Sequence, residues 1–162
     1  MLKEIEIQQP MASDLPVGII ASKYNNLFVQ GMLDGAKEVL LKSGMTEQKI
    51  VIVRVPGAYE IPLMAAKMAM CQSNRVAAII CLGVVIEGKT AHARLISEAL
   101  TYELSRLQTT HGLPIVHEVL LLQDELQARQ RCLDKKYNRG SEAAQTALEM
   151  VAVFKEFDAR FS

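Results

Sequence analysis

Val76-Ala77-Ala78-Ile79-Ile80-Cys81-Leu82 runs straight into Gly83-Val84-Val85-Ile86-Glu87-Gly88-Lys89-Thr90-Ala91-His92. The first run is continuously apolar and predicts a buried strand that extends to about Val85. Ala93 to Leu107 has helical character, and the predicted helix opens at about Thr90. A strand ends, a glycine-bounded turn crosses the sheet edge, and a helix begins. The first turn of a helix has N–H groups with no intrahelical partner, and the helix dipole adds partial positive charge there. Gly88 permits close backbone approach, Lys89 brings a cation and Thr90 a hydroxyl. These residues make a candidate anion site, most naturally for phosphate. His92 is expected one turn into the helix, beside the same spot. A plain connecting turn, with His92 a partly exposed helix residue, is the alternative this stretch leaves open.

The flanking chain repeats the pattern. Val17–Ala21 is a short apolar strand, and Ser22–Asn26 turns into a helix with Asn25 or Asn26 as N-cap. Phe28, Met32, Ala36 and Val39 fall at helical spacing and form a core face, and Gly44 ends the helix. Ile50–Val55 reads as a second buried strand. Pro56-Gly57-Ala58-Tyr59-Glu60-Ile61-Pro62 is a sharp turn, with Pro62 in the first turn of a helix running to about Met70. Glu60 beside that N-terminus can be a structural cap.

Beyond the central stretch, the third helix closes near His111-Gly112. Pro114–Leu122 is a fourth strand containing His117, whose plain role would be a side chain on a strand face. Asp124–Leu133 is a short helix with Arg129 and Arg131, and Asp134–Gly140 is a polar loop with Lys135, Lys136 and Arg139. Ser141 to about Phe157 is an amphipathic helix with Ala147, Met150, Val151 and Phe154 inward. At the other end, Lys3–Ile7 alternates polar and apolar, as an edge strand would, and Gln8–Leu15 is a polar connector.

Strands alternating with helices predict an α/β domain, a parallel sheet with helices on both faces. Ligands of such sheets bind beyond the carboxyl ends of the strands. Ser22–Asn26, Pro56–Glu60, Ile86–His92 and the region after His117 all fall at that edge. This convergence is the physical argument for a site.

Composition narrows the classes. The 162 residues read as one domain, residues 1–162, with half the chain hydrophobic, 22% charged and a formal net charge of zero. No basic field for nucleic acid or for an anionic membrane surface exists. No apolar run approaches the ~20 residues of a membrane span, and Met1–Pro10 lacks a signal-peptide core. A cytoplasmic protein is expected. Cys71, Cys81 and Cys132 are far apart with no C-x-x-C pair, so neither zinc nor a disulfide framework is expected.

Val55-Pro56-Gly57-Ala58-Tyr59-Glu60-Ile61-Pro62, Leu82-Gly83-Val84-Val85-Ile86 with Gly88 and Thr90-Ala91-His92, and Asn138-Arg139-Gly140 leading into Glu142-Ala143-Ala144 and Ala147-Leu148-Glu149-Met150 occur in that order. With them the chain resembles the lumazine synthase family from about Val17 to Phe154. The resemblance implies a flavodoxin-like three-layer sandwich with a four-stranded parallel sheet. It implies a homopentamer, which can build a sixty-subunit shell of twelve pentamers, with riboflavin synthase as a candidate partner. It implies condensation of 5-amino-6-(D-ribitylamino)uracil with 3,4-dihydroxy-2-butanone 4-phosphate, without metal or organic cofactor.

Each active site would lie between neighbouring subunits. One would supply Tyr24, Asn25, Gly57, Ala58, Tyr59, Glu60, Val84, Val85 and Ile86 for the pyrimidine and ribityl chain. The same subunit would supply Gly88, Lys89 and Thr90 for phosphate and His92 for proton transfer. The next would supply His117 and Lys135 to the pyrimidine side and Arg131 to phosphate. The chemistry suits these types: an imidazole titrates near neutrality, Arg131 can bind phosphate bidentately while Lys135 acts as a point charge, and Tyr24 can stack on a flat ring.

The chain departs from the family at Glu87, where a basic residue is common, and at Lys89, where a small one is. His117 stands in place of an aromatic, Leu121-Leu122 in place of two threonines, and Asp134–Asn138 in place of a glycine-rich loop. A flavin- or nucleotide-binding module would need Tyr24 and His117 but not His92. An inactive shell protein would account for the altered loop. A phospho-acceptor domain would need clustered aspartates that Asp14, Asp34, Asp124, Asp134 and Asp158 do not supply.

Overall fold

The computed structural model describes Glu4 and residues 13–162. Four strands, β1 (Val17–Ser22), β2 (Ile50–Val55), β3 (Ala78–Ile86) and β4 (Ile115–Leu122), form one all-parallel sheet in the order β2-β1-β3-β4. Among the described residues five α-helices surround it: α1 (Asn26–Lys42), α2 (Ile61–Ala69), α3 (His92–His111), α4 (Glu125–Cys132) and α5 (Arg139–Phe161). This is the three-layer α/β sandwich expected. The strand expected over Lys3–Ile7 lies outside the described residues apart from Glu4.

The pleat sorts side chains of the central strands between two cores. Val17, Ile19, Ala78, Ile80, Leu82 and Val84 face α1 and α5, packing on Phe28, Val29, Met32, Ala36, Leu40, Ala144, Ala147 and Leu148. Ile20, Ile79 and Cys81 face α2 and α3, against Ile61, Ala65, Leu100, Leu104 and Leu107. β1 and β3 are covered on both faces, which is why their sequences are continuously apolar. Ile19, Ile20, Ile79, Ile80 and Leu82 are fully buried, and each such side chain stabilises the fold by about 1.5–3 kcal/mol.

Two expectations change. β2 is an edge strand rather than a buried one, and Val51 and Ile52 are each 39% exposed. An apolar run cannot by itself distinguish an edge from a centre. Phe154 is 40% exposed rather than inward. The inward stripe of α5 lies earlier, at Ala143, Ala144, Ala147 and Leu148, because only its first half crosses the sheet.

Helix ends follow their sequence cues. Gly44 (φ 100) and Gly112 (φ 56) take the left-handed conformation after α1 and α3. Asp124 Oδ1 accepts from Gln127 N–H at 2.9 Å to cap α4, and Asn138 Oδ1 accepts from Ser141 N–H at 3.1 Å to cap α5. All three cysteines are free thiols, Cys81 and Cys132 buried and Cys71 half-buried. Burial pushes the Cys81 and Cys132 thiols up to about 12. A hydrogen bond with Ser73, then the Asn74 N–H, holds Cys71 below the usual thiol value. No helix among the described residues is long and apolar enough to cross a membrane.

Candidate active site

Three turns meet at the carboxyl ends of β1, β2 and β3. The turn after β1 is bolted to its neighbours: Lys23 N–H donates to Val55 O at 2.8 Å and Tyr24 N–H to Pro56 O at 3.1 Å. Arg54 crosses beneath, donating to Ser22 O at 3.0 Å and to the Asn26 side chain at 2.5 Å. Asn25 is the only non-glycine residue with positive φ (55°) among those described. Asparagine tolerates this region better than most residues. Asn25 occupies the N-cap position of α1, yet its side chain does not cap the helix. Its Nδ2 reaches across to donate to Val84 O at 2.7 Å. The expected cap is therefore a cross-strand tie, and it holds Tyr24, 74% exposed, at the rim.

The turn after β2 runs from an extended Gly57 into a 3₁₀ turn over Ala58–Glu60 and then α2. Glu60 Oε2 accepts from Gly57 N–H at 2.9 Å. Glu60 stands at the N-cap position of α2 but its side chain does not cap that helix; the carboxylate instead closes the 3₁₀ turn before it, with one oxygen. A Cβ at Gly57 would sit 3.0 Å from that oxygen.

The turn after β3 holds Glu87–Ala91 in exposed irregular backbone. α3 starts at His92, two residues later than expected, so His92 is the first helical residue and not one turn in. Ala91 makes no side-chain cap, and Thr90 Oγ1 accepts only a long 3.4 Å bond from His92 N–H. Donors at the tip of α3 therefore remain open to an anion. Gly88 is uncrowded, with nothing within 4 Å of where a Cβ would stand.

The first two turns, the end of β3 and the start of α3 enclose a cavity of about 660 Å³ lined by Tyr24, Asn25, Gly57, Ala58, Tyr59, Glu60, Val84, Val85, Ile86, His92, Ala93 and Ile96. All ten residues expected on the pyrimidine and proton-transfer side of one subunit are there. Ala93 and Ile96 were not anticipated. Ile96 lies four residues after His92 and three after Ala93, so helical periodicity was the available signal for this apolar wall. Gly88, Lys89 and Thr90 do not line the cavity; they stand exposed in the loop joining Ile86 to His92.

His117, Arg131 and Lys135 are elsewhere in this chain. His117 pairs with Cys81, three residues before Val84, and so lies about 10 Å back from the cavity along the strands. Its Nδ1 accepts from Val119 N–H at 3.1 Å, so Nε2 carries the proton and donates to Thr101 Oγ1 at 2.7 Å. Burial lowers its pKa, which keeps the ring neutral at pH 7.

Arg131 and Lys135 are exposed on the last turn of α4 and in the following loop. An ion pair ties β4 to the start of α5, with Arg139 Nε donating to the buried Glu118 Oε1 at 2.7 Å and Arg139 Nη1 standing 2.8 Å from Glu142 Oε2, the Arg139 side chain itself being half-buried. Burial pushes the Glu118 carboxyl up, outweighing the Arg139 hydrogen bond that pulls it down. That same bond raises Arg139. Among the described residues no group of three His, Cys, Asp or Glu side chains could hold a metal ion.

The family model described as 6,7-dimethyl-8-ribityllumazine synthase matches residues 14–155, nearly the whole chain.

Proposed function

The chain belongs to the 6,7-dimethyl-8-ribityllumazine synthase family, transferases of riboflavin biosynthesis, and on that premise we propose that it condenses 5-amino-6-(D-ribitylamino)uracil with 3,4-dihydroxy-2-butanone 4-phosphate. The products are 6,7-dimethyl-8-ribityllumazine, phosphate and water. The observation that carries the reading is the cavity at the sheet edge, where two exposed tyrosines, one imidazole and two backbone turns converge.

The residues suit each step. Tyr24 is a free stacking surface for the pyrimidine. Glu60 keeps one carboxylate oxygen beyond its bond to Gly57, and with the Ala58 backbone it can meet ribityl hydroxyls. An amine of the pyrimidine attacks the ketone of the four-carbon substrate, water leaves, and an imine results. Phosphate then departs, and the second amine closes the ring onto the remaining carbonyl with loss of a second water. His92, at the tip of α3, carries protons between these steps. The uncapped N–H groups at that tip, with Lys89 and Thr90, receive the phosphate. Holding two substrates together supplies much of the rate.

His117, Lys135 and Arg131 serve the cavity of a neighbouring copy, so the active unit is a homo-oligomer. A pentamer, alone or as a sixty-subunit shell, is the arrangement the resemblance carries, with riboflavin synthase as candidate partner and the cytoplasm as location. His117 brings a neutral ring to the pyrimidine rather than a cation.

Mixing the protein with both substrates and following lumazine absorbance tests the activity directly, and no absorbance from the wild type refutes it. His92→Ala is expected to slow turnover about tenfold or more with the oligomer intact. Wild-type turnover in that intact variant would remove His92 from the chemistry.

A further inference from the structure

Asn138 is only 8% exposed, and both ends of its amide are used. Oδ1 accepts from Ser141 N–H at 3.1 Å, the cap of α5. Nδ2 donates to Cys132 O at 3.0 Å and to Gly31 O at 2.9 Å. A cap needs only the acceptor, and serine or aspartate serves as well. The donors do something else: they tie the end of α4, one residue after Arg131, to the middle of α1.

The backbone around this amide has no slack. A Cβ at Gly31 would stand 2.5 Å from Cys132 O, one at Gly35 2.5 Å from Asn138 Oδ1, and one at Gly140 1.9 Å from Met32 O. Three glycines thus let α1, the end of α4 and the start of α5 meet around one side chain. α4 needs such a tie. It is eight residues long and buries only Ala128 and Cys132, too little for a helix of that length to hold its own place. Asp124 fixes its start and Asn138 its end.

We propose that Asn138 is a positioning residue for Arg131, setting the place of the guanidinium that α4 presents to the phosphate of the four-carbon substrate. The assignment rests on the role given to Arg131 above. Misplacing a charged clamp by an ångström weakens the group it binds while leaving distant contacts alone.

Asn138→Ser tests this, because it keeps a neutral oxygen for Ser141 N–H and loses the amide NH2 that reaches Cys132 O and Gly31 O. Gly35→Ala is a second variant that crowds the amide from α1 and leaves Asn138 in place. In folded, assembled protein both should raise KM for the phosphate-bearing substrate about tenfold, with the pyrimidine KM within about twofold and kcat little changed. Backbone amides of residues 131–137 should exchange faster with deuterium in Asn138→Ser, without change in β1 and β3. Both KM values unchanged, or both rising together, would overturn the positioning role. Unchanged exchange over 131–137 would overturn the tie itself, whatever the activity. An inactive wild type would count against the proposed function alone, since the exchange result still decides the tie.

Discussion

The cavity and the β4–α4–α5 corner are built in opposite ways. The cavity is made of turns, the end of β3 and the start of α3, and three side chains stand exposed at its rim: His92, Tyr24 at 74% and Tyr59 at 66%. The corner is made of buried polar ties, with Asn138 and Glu118 at its centre, yet Arg131 and Lys135 on its surface reach nothing in their own cavity. One region offers a place and few charges; the other offers charges held firmly and no place. A half-site that receives and a half-site that presents are what a shared active site requires of each subunit.

The sharpest way to break that comparison is to separate the halves. Arg131→Ala should weaken the phosphate-bearing substrate by about 1.5–3 kcal/mol, and His92→Ala should slow turnover as above. Co-assembled in equal amounts, the two variants should recover activity, because about a quarter of random interfaces would pair an intact His92 side with an intact Arg131 side. Co-expression followed by a lumazine absorbance assay reads this. No recovery in mixed particles would place both residues in one subunit's site.

A smaller effect sharpens the contrast in rigidity. Gly140→Ala puts a methyl group against the Met32 carbonyl and should cost about 3 kcal/mol in urea unfolding. Gly88→Ala, in open space, should shift stability by less than about 0.5 kcal/mol. Equal costs would mean the corner is no stiffer than the phosphate loop.

The smallest effect concerns pH. Burial depresses His117, so its contribution to stability is present above the ordinary histidine pKa and is lost as pH falls through the lower folded value. Glu118 runs the other way: its raised pKa contributes below the ordinary carboxylate value and is lost as pH rises through the folded one. The wild type minus His117→Phe difference in urea midpoint isolates the first. That difference should fall as pH drops below about 6.5; a flat difference would mean His117 is not desolvated in the assembled protein.

The element pattern was readable because β1 and β3 are buried on both faces and announce themselves as apolar runs. β2 misled because an edge strand of Ile and Val reads the same way, and its exposure depends on which strand lies beside it. The cavity was readable because chain topology alone brings strand ends together, so naming the turns named its residues. The ties made by the Asn25 and Asn138 amides were not. Nothing local distinguishes an asparagine that caps a helix from one whose amide crosses 59 residues to Val84 or 107 to Gly31. The start of α3 was misplaced by two residues because Thr90 is a good N-cap by type, while the exposed loop leaves its hydroxyl barely used.

The three thiols divide the molecule into regions with separate lifetimes. Cys71 is half-buried and acidified, so an alkylating reagent meets it in the native state. Cys132 is fully buried at the end of α4, its carbonyl held by the Asn138 amide, and its sulfur becomes reachable when the corner opens. Cys81 sits in the middle of β3 with no exposure and a pKa of about 12, so it is reached only when the sheet itself comes apart. Local and global opening differ in free energy, and in this chain each has its own sulfur atom to record it.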